Sequence, residues 1–173
     1  MSEKPYTLES DQKATPVMIG TSDMLLWGDL VIKEHLRLGG FLNTLAEAFV
    51  PLHDAKILFL APVQQNAPVN RPAIFVKLEE ILWFYSMDET DPLPEQSELR
   101  QLETIEILIG SYQIEGSILK SPVALLQNML LVAKDTYMPV YKATVRHVSK
   151  PWLGQFTTDF VQVQRSRMCV SQT

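Results

Sequence analysis

A single cysteine, Cys169, leaves no partner for an intrachain disulfide, and a reducing cytoplasm is the simplest compartment for such a chain. No apolar run reaches the roughly 18 residues that a membrane-spanning helix needs. Residues 1–22 carry Glu3, Lys4, Glu9, Asp11 and Lys13 and have no apolar core. They do not read as a secretory signal and are expected to form a flexible leader. Positive charge is in deficit, with 15 Lys and Arg against 20 Asp and Glu, a net charge of −5 and a pI of about 5.2. That balance counts against a general attraction for nucleic acid. What positive charge is concentrated lies late in the chain, at Arg146, His147, Lys150, Arg165 and Arg167.

Recognisable chemistry is also scarce. His35, His53 and His147 are far apart, and none has a helical i, i+4 partner or a nearby cysteine, so metal-ligand spacing is missing. There is no Gly-x-Gly-x-x-Gly, no phosphate-loop Gly-Lys-Ser/Thr and no Gly-x-Ser-x-Gly. Glu79 and Glu80 are adjacent in an apparent strand, so they point to opposite faces and do not form a carboxylate pair. Cys169 has no base placed beside it in the sequence. No catalytic residue, metal ligand or cofactor site is assigned, and the chain reads as a non-enzymatic protein.

What is present is a core-forming composition, 46% hydrophobic and 20% charged, and one stretch that occurs twice. Phe49-Val50-Pro51-Leu52-His53-Asp54-Ala55-Lys56-Ile57 and Tyr137-Met138-Pro139-Val140-Tyr141-Lys142-Ala143-Thr144-Val145 share the pattern aromatic-x-Pro-aliphatic-x-x-Ala-x-aliphatic, 88 residues apart (137 less 49). Upstream, Gly28 to Ile32 aligns with Gly110 to Ile114, and downstream Phe75-Val76 aligns with Phe160-Val161. The alternative is chance likeness between β-rich segments. Identical placement of Pro and Ala favours duplication, and repeats of this kind fix the fold reading.

Each half then reads as strand, helix, strand, strand. Met24 to Leu36 is an apolar strand bent at Gly28. Leu102 to Ile109 alternates, crosses Gly110 and continues through Ile118. A first short helix follows Gly39-Gly40. A second starts at Ser121-Pro122, a good cap and first-turn pair, and carries Leu125, Leu126, Met129, Leu130 and Ala133 as a wide apolar stripe. Core packing is the plain reading of that stripe, a partner groove the sharper one. Pro51 and Pro139 mark the passage into the next strands, and Ala55 and Ala143 suggest a close backbone approach. Residues 61–71 read as an exposed loop. Long terminal strands are expected at Ala73 to Tyr85 and Thr157 to Val170, the latter with one polar face.

The expected organisation is a leader at 1–22, repeat 1 at 23–86, an acidic Pro-containing linker at 87–100 and repeat 2 at 101–173. The fold class is mainly β with two short helices. The pseudo-two-fold halves are expected to close as one small β-barrel or as two Sm-like barrels.

Arg37-Leu38-Gly39-Gly40-Phe41-Leu42-Asn43, followed by Phe49 to Ala55, resembles an uncharacterised bacterial family. Its members carry an Arg-Leu-Ser-Asp-Phe-Leu-Asn type of motif ahead of a Phe-x-x-Leu-x-Asp-Ala strand. The resemblance spans mainly residues 28–60, with a degenerate second copy. It implies a small β-barrel module and no activity. Gly39-Gly40 stands where the family has Ser-Asp, so contacts made by those two side chains do not carry over.

The functional expectation is a protein-interaction or assembly module, working by self-association or with a protein partner through an edge strand. Trp83, Tyr85, Arg165 and Arg167 are the candidate interaction surface. A small-barrel nucleic-acid or nucleotide binder, and a ligand sensor with a pocket between the repeats, are the alternatives.

Overall fold

The computed structural model describes residues 5–60, 67–89 and 100–172, which fall into two units, Met1–Glu89 and Thr90–Thr173. Both are antiparallel β-sheets with one short helix, and each is described on its own.

Unit 1 contains β1 (Gln12–Gly20), β2 (Met24–Lys33), α1 (Leu38–Thr44), β3 (Phe49–Phe59), β4 (Val69–Lys77) and β5 (Trp83–Ser86). The strands pair in the order β5-β1-β2-β3-β4. Unit 2 contains β6 (Gln101–Ile109), β7 (Tyr112–Lys120), α2 (Leu126–Val132), β8 (Tyr137–His147), β9 (Gln155–Gln164) and β10 (Met168–Gln172). Its order is β10-β6-β7-β8-β9. Among the described residues no ladder closes either sheet on itself. In both units the helix lies between the second and third strands, and a 3-10 turn separates the fourth strand from the fifth.

Several expectations are corrected. Gln12–Gly20, assigned to a flexible leader, is a strand between β2 and β5, and its Val17 and Ile19 are wholly buried. Tyr6 is tied down as well: its hydroxyl donates to Asp29 Oδ2 at 2.6 Å, and its ring lies 5.0 Å from that of His53. Leu102 to Ile118 is not one strand but the β6–β7 hairpin. Ile109 pairs with Tyr112, and Gly110 takes the turn at φ 57°, a conformation open to glycine. Both long terminal strands are broken, by 3-10 turns at Leu78–Glu80 and Arg165–Arg167. The loop expected at 61–71 is strand from Val69 onward; residues 61–66, and most of the acidic linker, lie outside the described residues. Ser121 does not cap α2. It closes a turn, accepting from the Ala124 N–H, and the helix starts at Leu126. Pro51 and Pro139 lie within strands rather than before them.

The repeated sequence encodes a repeated irregularity. In unit 1, Trp27 faces Lys56 and Asp29 faces His53, so Gly28 opposes the two residues Asp54 and Ala55. In unit 2, Glu115 faces Thr144 and Ser117 faces Tyr141, so Gly116 opposes Lys142 and Ala143. Each is a bulge with one extra residue on the longer strand. Asp54 and Lys142 both sit in the left-handed region, at φ 47° and 48°. Ala55 and Ala143 are wholly buried. A Cβ on Gly28 would lie 2.5 Å from the His53 carbonyl oxygen, and one on Gly116 would lie 2.9 Å from that of Tyr141 and 3.3 Å from Ala143 Cα. The close approach expected at the alanines is therefore made to a glycine on the neighbouring strand. The glycine matching Gly28 is Gly116, 88 residues on, and not Gly110. Likewise Val76, opposite Val50, matches Val163, opposite Met138, which moves the downstream alignment by two residues.

Two substitutions test the bulge by urea denaturation. Gly116→Val inserts atoms where the first would already lie 2.6 Å from Val140 Cγ1, and is expected to cost about 1–3 kcal/mol. Lys142→Gly relieves the left-handed penalty, less the entropy glycine brings to the unfolded chain, and is expected to gain about 0.5–1 kcal/mol.

Candidate functional site

Of the four expected surface residues, Trp83 is buried, Tyr85 and Arg165 are half-buried and Arg167 is exposed. Trp83 is wholly buried on β5, opposite Gly20, and an added Cβ on Gly20 would lie 2.1 Å from the indole. The missing side chain on β1 makes room for the ring, so Trp83 is core. Phe84 is also wholly buried, and Tyr85 is half-buried, with burial pushing its phenol pKa up. Both faces of this aromatic group are therefore turned inward.

Arg165 closes the C-terminal end of α2. It lies in the 3-10 turn after β9, and its guanidinium donates to the carbonyls of Ala133 at 2.5 Å, Asp135 at 2.8 Å and Leu130. The last carbonyls of a helix have no partner within it, and a cation there also complements the helix dipole. Arg165 is a positioning residue for the 126–136 segment. Arg167 is exposed on the same turn.

What Arg165 holds in place is an apolar surface. Of the α2 stripe only Leu126 is buried. Leu125 is 67% exposed and Leu131 is 73% exposed, and Val123 and Val132 are exposed with them. Leu125, Leu126, Leu130 and Leu131 form a groove with Val170 and Gln172 of β10, of about 540 Å³. The expected core packing of the stripe is thus limited to one residue. In unit 1 Phe49, Phe59 and Phe75 are exposed on β3 and β4, with Leu8 and Met87 exposed outside them; Phe75 is the most exposed and pairs with Pro51.

A second groove, of about 450 Å³, is lined by Gln113, Arg146, His147, Val148, Pro151, Gly154 and Gln155. Arg146 is engaged along its edge: Nε and Nη2 donate to Gln113 Oε1 at 2.9 and 2.5 Å, and Glu115 lies 3.8 Å away. His147 packs edge-on against Tyr112 at 4.9 Å, and its Nδ1 lies 3.4 Å from Ser149 Oγ. Burial first, and Lys150 second, hold its pKa below the ordinary 6.5. Arg146 and Arg165 serve different grooves, so the late positive charge is not one track. Among the described residues no three of His, Cys, Asp and Glu are placed to hold a metal ion.

Comparison with family models, with curated proteins and with solved structures finds no match.

Two measurements check these assignments. Arg165→Ala is expected to lower stability by about 1.5–3 kcal/mol, since it removes charge-assisted hydrogen bonds. It should also speed amide exchange selectively across residues 126–136, with Arg165→Lys recovering part of the protection. Burial lowers the His147 pKa in the fold, so the unfolded chain binds more protons between the lowered pKa and 6.5. Stability is then full above about pH 6.5 and falls as the pH drops below it. His147→Gln should flatten that slope in urea titrations from pH 7.5 to 5.

Proposed function

We propose that this chain is a non-enzymatic assembly module, built by tandem duplication of one small five-stranded β unit and working through protein–protein contact. The observation that carries the reading is where the exposed apolar side chains lie. Phe49 and Phe75 are on β3 and β4, with β4 at the end of its sheet, while Leu125 and Leu131 flank β10 at the end of its own. Exposed apolar residues scattered singly need no explanation, whereas their gathering beside unpaired strand edges marks an interaction surface. Duplication is supported by the shared strand order, by the bulge at the same place in each sheet, and by the shared sequence pattern. The bacterial family resemblance rests on the Phe49 to Ala55 pattern, whose Ala lies at the bulge.

Size-exclusion chromatography with light scattering, together with affinity capture from lysate, tests the reading. The expected result is self-association that grows with concentration, without salt-dependent retention of RNA or single-stranded DNA on filters. A monomer at every concentration that captures no protein would overturn it, and so would retention that falls steeply with salt.

A further inference from the structure

Corresponding strands of the two units are buried to different degrees. The ladders set the correspondence. Val50 with Val76 matches Met138 with Val163, which places Phe75 at Gln162, Lys77 at Gln164 and Ala73 at Phe160. In unit 2 these positions are closed: Gln162 is 8% exposed, Gln164 4% and Phe160 6%. In unit 1 they are open: Phe75 is 74% exposed, and Lys77 and Ala73 are exposed too. The fifth strand shows the reverse. Trp83 opposite Gly20 corresponds to Cys169 opposite Leu108, and Phe84 to Val170. Trp83 and Phe84 are wholly buried, whereas Cys169 is exposed, Val170 half-exposed and Leu108 48% exposed.

Each chain thus has one strand of the fourth-strand type, β4, and one of the fifth-strand type, β10, that end the strand order and carry exposed side chains, while the matching side chains of β9 and β5 are buried. Resting on the assembly reading above, we infer that β4 of one copy adds to β10 of a second copy, head to tail. Each edge finds its complement on every other copy of the same chain. Strand addition satisfies the outward N–H and C=O groups of both edges. It also brings an apolar partner, Phe75 with Phe49, to the apolar groove that α2 forms beside β10. The α2 groove is the receiving side, and Arg165 holds it in shape. Such a contact is heterologous, so repetition gives a closed ring or an open filament rather than a symmetric dimer.

The native thiol of Cys169 lies on the proposed β10 edge and serves as a reporter. Wild-type chain, reactive at Cys169 alone, is mixed with chain carrying Ala73→Cys and Cys169→Ser, one of them bearing a mass tag, and both are treated with a short bismaleimide. The expected product is the mixed pair, in several-fold excess over either like pair. Phe75→Asp, at an exposed position, is expected to shift the oligomer to monomer by light scattering while its circular dichroism is unchanged. Oligomers that survive Phe75→Asp and crosslink like with like would overturn the pairing and leave the assembly reading standing. A monomeric wild type would overturn the pairing; if it also captured no protein, the assembly reading would fall with it.

Discussion

The sheets depend on a contact with almost no side chain in it. Gly28 and Gly116 let β2 and β7 come against the backbone of β3 and β8, where Ala55 and Ala143 occupy the bulge and Asp54 and Lys142 turn left-handed to admit the extra residue. A left-handed lysine costs about 1–2 kcal/mol by itself, so the surrounding ladders must enforce it. The side-chain alternation of β3 and β8 resets across the extra residue, which lets Leu52 and Val140 on one side and Ala55 and Ala143 on the other all reach the core. The recurring Pro-aliphatic-x-x-Ala pattern is the sequence form of that geometry.

On this common frame the two units diverge in what they expose. Polar Gln162 and Gln164 are buried, while apolar Phe75 is in solvent; aromatic Trp83 is buried, while Cys169 is in solvent. The hydrophobic character of a residue predicts its burial poorly at exactly these outer strands, because the outcome is set by what lies next to the strand rather than by the strand itself. Two further features fit an assembly role. The apolar stripe of α2 buries only Leu126, and Arg165 is committed to the carbonyls that end that helix rather than to solvent.

Much of this was legible in the chain. Pro51, Ala55 and Gly28 mark the bulge, and the β-rich composition with two short helices is readable from alternation and spacing. The rest was hidden for identifiable reasons. Gly110 and Gly116 lie six residues apart in one run of alternating apolar residues, and pattern alone does not tell the turn glycine from the bulge glycine. Leu78-Glu79-Glu80 keeps strand alternation while folding as a 3-10 turn. Ser121-Pro122 has the composition of a helix start but closes a turn four residues early. The role of Arg165 depends on carbonyls 30 to 35 residues before it, a distance across which side-chain pattern carries no signal. The placement of Trp83 depends on Gly20, which the sequence presents as one more loop glycine.

The same strained bulge occurs in both sheets, at positions 88 residues apart. Backbone chemical shifts from an isotopically labelled sample read it directly. Left-handed backbone shifts are expected at both Asp54 and Lys142, with extended shifts at the residues flanking each. Extended values at either residue would contradict it.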